Sequence, residues 1–438
     1  MLLTRKSLVG TGIAVMALTV AVGAFVDEPP GPLLLGIRVE FFLFALTLLG
    51  VALFHDRTLD VGVTGLMSIV LLKYMTAAEF SLAHHLWEEG PILVNLLGLL
   101  LGFAVLARHF EQSEVPEILP RFLPDDWKGG FALLATVFVL SAFLDNIAAA
   151  MIGGTVALHV FHRRIHVGYL AAIVGASNAG GSGSVLGDTT TTMMWIEGVP
   201  ALDVLHAYVA AVPTVLILAF IGARQQDKHQ RIVKDAPKDL HIEWRRVFVV
   251  GMILAGTIAT NVLLDFPAVG VWLAILVGAT FTRTPWGELN HAIKGTIFLL
   301  ALVASASMMP VDELPAASWQ TAFGLGFVSA VFDNIPLTKL ALEQGGYDWG
   351  VLAYAVGFGG SMIWFGSSAG VAISNMYPEA KNTGSYLKNG WHVAFSYVVG
   401  FFIMLSLWGW EPREIEEGRA LPVEAPDVTA AALADAGK

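Results

Sequence analysis

Three aspartates carry the chemistry open to this chain. Asp145 and Asp333 sit in a repeated heptapeptide, SAFLDNI at 141–147 and SAVFDNI at 329–335, identical at five of seven positions. Asp188 closes a small-residue stretch, GASNAGGSGSVLGDTTTT at 175–192, and a related stretch, GFGGSMIWFGSSAG, stands at 357–370. Carboxylate, amide and hydroxyl oxygens suit small hard cations such as sodium. Burial penalises the ionised form of a carboxylate, so a proton and a cation can compete for one site. That competition is the physical core of exchange. The aspartates Asp145, Asp188 and Asp333 are the candidate sodium ligands. Asn146, Asn334, Ser177, Asn178 and Thr189 add oxygens beside them, and Thr190, Ser361, Ser367 and Ser368 are further donors. Two plainer readings stand beside this one. Each aspartate could simply cap a half-helix, and the serines and threonines could simply pack helices together.

Lys339 follows Asp333 by six residues. It has three possible fates: neutralising Asp333, snorkelling outward, or attracting an anion. His84 and His85 read as an outer, solvated pair, and Arg38 with Glu40 as an interfacial pair near the start of a span.

The elements that must position these groups are membrane helices. The 438 residues are 55% hydrophobic and 14% charged, with a mean hydropathy of +0.67. Soluble chains carry about 25% charge, and a span needs about 20 apolar residues. Segments such as 8–26, 33–54 and 391–410 meet that length. Arg5 and Lys6 precede the first, which is longer than a signal core and lacks a small-x-small site before Asp27, so it reads as a retained span. The net charge of −11 gives no reason to expect nucleic acid as a partner. With no cysteine there is no disulfide or thiolate site. The glycine-rich stretch lacks the GK[ST] ending of a phosphate loop. No metal-hydrolase motif or nucleophile elbow supports a membrane enzyme or sensor, and no resident cofactor is implied.

Loop charges set the topology through the positive-inside rule. The N-terminus falls in the cytoplasm. Residues 129–161 are interrupted at Asp145-Asn146 and flanked by basic residues on both sides, which fits a re-entrant hairpin opening inward; two short tilted spans are the alternative. Residues 319–344 carry Asp333-Asn334 between acidic flanks and read as a hairpin opening outward. The chain therefore divides into a first span (1–32), a first repeat (33–223), a cytoplasmic linker (224–246), a second repeat (247–410) and a disordered acidic tail (411–438). The linker holds seven Lys or Arg against four acids and is read as a solvated loop rather than a partner site. Glycines at 180, 181, 183 and 187 would let the intervening span unwind and expose carbonyls at membrane depth. The fold class is an all-α polytopic membrane protein: an inverted repeat with about 11 transmembrane helices, two opposed re-entrant hairpins and two broken helices.

The stretches ASNAGGSGSVLGDTTTTMMW, SAVFDNIPL and GFGGSMIWFGSSAGVAIS resemble the signature stretches of NhaD-type sodium/proton antiporters, over about residues 129–410. That family belongs to the ion transporter superfamily with the citrate, dicarboxylate and arsenite carriers. The resemblance implies eleven spans with two opposed hairpins, an elevator-like transport domain and a homodimer in a bacterial inner membrane. It also carries the family's site to Asp145, Asn146, Ser177, Asn178, Asp188, Thr189, Asp333 and Asn334. The departures are Ala148, Ala149 and Ala150, where hydroxyl residues are expected, Lys339, where the family tends to be apolar, and a loosely similar stretch at 79–117. The expected function is exchange of sodium or lithium for protons. A symporter of citrate or another carboxylate on the same fold is the alternative.

Overall fold

Helices here begin where a side chain satisfies the free amides of a first turn. Asp126, Asp145, Asp188, Asp333, Asp348 and Ser367 each accept from a backbone amide two or three residues on. Ser318 forms a capping box with Thr321. The computed structural model describes residues 33–34, 37–54, 57–77, 80–233, 241–413 and 415.

The principal helices in chain order are α1 (Val39–Leu53), α2 (Thr58–Thr76), α3 (Leu82–Glu111), α4 (Trp127–Ser141), α5 (Asn146–Val160), α6 (Val167–Ser182), α7 (Thr189–Ile196) and α8 (Tyr208–His229). They continue with α9 (Trp244–Leu264), α10 (Pro267–Ala279), α11 (Glu288–Ala306), α12 (Trp319–Ser329), α13 (Asn334–Gln344), α14 (Trp349–Gly359), α15 (Ser368–Met376) and α16 (Trp391–Leu407). Short connecting turns are left unlabelled. The one strand pairing among the described residues is a two-residue antiparallel ladder, Leu33–Leu34 with Ile37–Arg38.

Among the described residues, five helices are long and apolar enough to cross a membrane, and a sixth is reached if Thr383–Asn389 and α16, bent by 56°, form one span. Exposed apolar side chains such as Phe248, Val262, Leu263 and Leu273 lie on α9 and α10, where water would be an unfavourable neighbour.

The helices pack as two bundles. In the first, α1, α2, α3, α9, α10 and α11 lie against one another. In the second, α4–α8 surround α12–α16, and α6 is buried along almost its whole length. The bundles meet where α7 touches α3 and α13 packs on α11.

Glycine sets how closely the second bundle assembles, and it does so twice. A Cβ at Gly180 would strike the Phe138 carbonyl, and one at Gly359 would strike the Gly326 carbonyl. One at Gly187 would meet the Ser141 carbonyl, and one at Gly366 the Ala330 carbonyl. The internal repeat thus extends to equivalent helix contacts. Gly359→Ala should destabilise by about 1–3 kcal/mol through overpacking. Gly295→Ala, with open space around it, should be neutral or stabilising by up to about 1 kcal/mol. Thermal scanning of the two purified variants distinguishes them.

Several boundaries differ from the sequence reading. The unwound segment is confined to residues 183–188, and Gly180 and Gly181 stay in regular helix, where they serve close packing rather than unwinding. His84 and His85 lie in the first turn of α3; His85 contacts Ser307 at 3.0 Å, whereas His84 pairs with Glu88 in an exposed position. Arg38 and Glu40 are buried together, with Lys73 at 3.6 Å from Glu40. The linker begins as helix, since α8 runs to His229. The start of the tail is docked: Arg413 pairs with Asp203 at 2.6 Å and the Glu411 amide donates to Asp348 at 3.0 Å. The first span at 8–26, Glu79, linker residues 234–240 and tail residues 414 and 416–438 lie outside the described residues.

Candidate functional site

Two helical hairpins and two broken helices bring the sequence candidates together. In the first hairpin, α4 ends at Ser141 and α5 starts at Asn146, with Asp145 as its cap, accepting from the Ile147 amide at 2.7 Å. In the second, Asp333 caps α13 through the Ile335 amide at 3.0 Å. The first broken helix stops at Ser182 and resumes as α7, capped by Asp188 through the Thr190 amide at 3.1 Å. The second stops after α14 and a short 3-10 turn and resumes as α15, capped by Ser367 through the Gly370 amide at 3.2 Å. The capping reading of the aspartates therefore holds. It leaves one carboxylate oxygen of each free for other partners.

A polar network links these four termini. Asn146 donates to Asn178 at 3.1 Å, and Asn178 donates to Ser361 at 2.9 Å and to Ser367 at 3.0 Å. Asn334 reaches Asp188 at 3.5 Å. Each hairpin tip is therefore tied to a helix break, and Asn178 joins the two halves. Asp145, Asp188 and Thr189 line one small cavity, closed on its far side by Leu96, Leu99, Leu100 and Phe103 of α3. Asp188 lies within electrostatic reach of both Asp145 and Asp333. Helix N-termini are positive ends, which alone would favour an anion. Three of these four termini carry a carboxylate, and that reverses the sign. The exception is Ser367, which stands after Gly366 as Asp188 stands after Gly187.

Other candidates have local duties. Ser177 is buried but donates to Val174 within its own helix at 2.9 Å. Thr191 and Thr192 donate to the Ser184 and Val185 carbonyls at 2.6 and 2.8 Å, closing the broken turn. The Thr190 hydroxyl is buried beside Asp188. Ser361 and Ser367 are buried in the network, and Ser368 is half-buried beside it.

Lys339 follows none of its three expected fates. Its side chain is 1% exposed, and its ammonium meets Glu197 at 2.6 Å, Glu343 at 2.7 Å and Glu89 at 3.0 Å. Glu343 is four residues on along the same helix, a spacing visible in the sequence. Glu89 and Glu197 come from distant segments, and no local pattern pointed to them. The positive charge is thus taken up by carboxylates other than Asp333.

Apolar spans, acids held at helix breaks and oxygen-lined interior surfaces define an integral membrane ion transporter, and comparison with known proteins agrees. The sequence profile of the citrate transporter family matches residues 41–359. The chain belongs to that family, as an NhaD-type member of the ion transporter superfamily. It is 25% identical to sodium/proton antiporter 1 of Arabidopsis thaliana over 351 residues, 68% of this chain and 59% of that protein. It is 25% identical to sodium/proton antiporter 2 of the same plant over 370 residues, 72% of this chain and 86% of that protein. Against the Na(+)/H(+) antiporter NhaD of Vibrio parahaemolyticus it is 24% identical over 368 residues, 68% and 85% of the two chains. The family is one of transporters.

Proposed function

We propose that this protein exchanges sodium, or lithium, for protons across a bacterial inner membrane. The observation that carries the reading is the gathering of Asp145 and Asp188 on one cavity, with Asp333 beside them through Asn334. Deprotonated, the three acids with Asn146, Asn178, Asn334 and Thr189 would hold a small cation. Protonation would release it. Relatives named as sodium/proton antiporters support this choice of ions. The anion-symport alternative loses its main support, because Lys339 is already matched by three carboxylates.

The finer architecture belongs to the same proposal: about eleven spans, a homodimer, a cytoplasmic N-terminus and an inverted repeat divided by the linker. Helix length supports re-entrant hairpins. The arms α4 and α5 have 15 residues each, about 22 Å at 1.5 Å per residue, short of the ~30 Å hydrocarbon core. The arms α12 and α13 have 11 each.

The test uses everted vesicles containing a quenched pH probe. Adding sodium should dequench it, lithium should act similarly, and radiolabelled citrate should not accumulate. A silent wild-type protein, or citrate uptake in its place, would overturn the proposal.

A further inference from the structure

The Lys339 cluster has a geometry that ion binding at the aspartates does not require. Lys339 and Glu343 belong to α13, and Glu197 caps the C-terminal end of α7, so all three ride on the second bundle. Glu89 belongs to α3 in the first. The contact between Glu89 and Lys339, at 3.0 Å, is therefore an ion pair that crosses from one bundle to the other. It is shielded: the glutamate side chain is 14% exposed and the lysine 1%. Shielded pairs are screened by salt far less than surface pairs.

Its position relative to the site matters. Lys339 lies in the same short helix that Asp333 caps, and Asn334 starts that helix. Glu89 lies in the same helix as Leu96, Leu99, Leu100 and Phe103, which wall off Asp145 and Asp188. Exchange through a single site requires the bound ion to meet each side of the membrane in turn. An apolar wall of leucines and phenylalanine has to move relative to the aspartates for that to happen. Any such movement along the contact of α3 with α7 and α13 pulls Glu89 away from Lys339. After separation, Lys339 still has Glu197 and Glu343, which leaves no buried ammonium without a partner. The three-to-one stoichiometry allows the inter-bundle bond to open while the lysine remains compensated.

We infer that Lys339 is a positioning residue whose pair with Glu89 latches the second hairpin to α3 in the conformation described here and opens in each transport cycle. The inference rests on the exchange reading only for what is carried.

The chain has no cysteine, so engineered thiols can be read without background. Glu89 and Glu343 both reach the same lysine nitrogen, so cysteines at these positions lie within reach of a short bis-methanethiosulfonate reagent. The variant E89C/E343C leaves Lys339 paired one-to-one with Glu197. Reduced, it should retain measurable exchange in vesicles. Crosslinked, as verified by mass, it should lose at least tenfold in rate and recover on reduction, while each single-cysteine variant is unaffected by the reagent. A crosslinked protein that exchanges ions at the reduced rate would overturn the latch. If the double variant fails to fold, or is inactive when reduced, Glu89→Gln decides by hydrogen–deuterium exchange. Amides of α13 should exchange at least threefold faster and those of α12 unchanged; unaltered α13 exchange overturns the inference. That readout needs no transported ion, and wild-type vesicle activity separately reports on the exchange reading.

Discussion

Asp188→Asn should abolish sodium-driven proton release in everted vesicles while the protein remains folded. Asparagine is as good a helix cap as aspartate, so the bond to the Thr190 amide at 3.1 Å survives the change. What disappears is the ionisable charge that lies within reach of both Asp145 and Asp333. The other oxygen of Asp188 accepts from Asn334, linking the two halves of the site. The expected loss is at least 100-fold in initial rate. Asn334→Ala should cost less, about tenfold, because it removes an amide rather than a titrating acid. Thermal melting in detergent should move little for Asp188→Asn. An inactive protein with a large drop in melting temperature would assign Asp188 to structure alone. Substantial exchange by the variant would remove it from the ion path.

The two hairpin tips were legible because Asp-Asn recurs in the same seven-residue setting, and a chain with so few charges rarely places a carboxylate in an apolar stretch without a use for it. The break at Asp188 was legible from its glycines, but its extent was not. The glycines at 180, 181, 183 and 187 all read as letting the span unwind, whereas regular helix continues through Ser182. Buried neighbours explain this, since carbonyls of adjacent helices take the space that side chains would fill at Gly180 and Gly359. Composition cannot distinguish a glycine that bends from one that admits a neighbour. Ser177 illustrates a related ambiguity. It lies one residue from Asn178, yet its hydroxyl is spent on Val174, and only the helical phase separates the two. The role of Ser367 was half-visible, as one of several oxygen donors, while its equivalence to Asp188 emerged from where Gly366 packs.

Lys339→Met should be the most destabilising single change outside the ion site. The substitution removes the one cation shared by Glu89, Glu197 and Glu343, whose side chains are only 14%, 14% and 30% exposed. Breaking a buried pair by deleting one partner typically costs about 3–5 kcal/mol, because the remaining charge has neither water nor a counter-ion. Here three carboxylates lose their partner, though the most exposed regains part of its hydration. Lys339→Arg keeps the charge and should lose far less, limited by fitting a planar guanidinium where an ammonium sits. The diagnostic variant is Lys339→Met with Glu197→Gln. If the penalty arises from uncompensated charge, neutralising the acid at 2.6 Å should restore a good part of it. If it arises from lost packing of the aliphatic stem, the second change should make matters worse. Melting temperatures of the three purified variants, compared with wild type, separate these outcomes. The result also bears on how the chain tolerates a lysine at a buried position. A buried lysine at 339 needs carboxylate partners, and Glu89, Glu197 and Glu343 supply them. Because Glu89 comes from the opposite bundle while Glu197 and Glu343 share that of Lys339, only part of this stabilisation depends on the conformation in which the bundles meet.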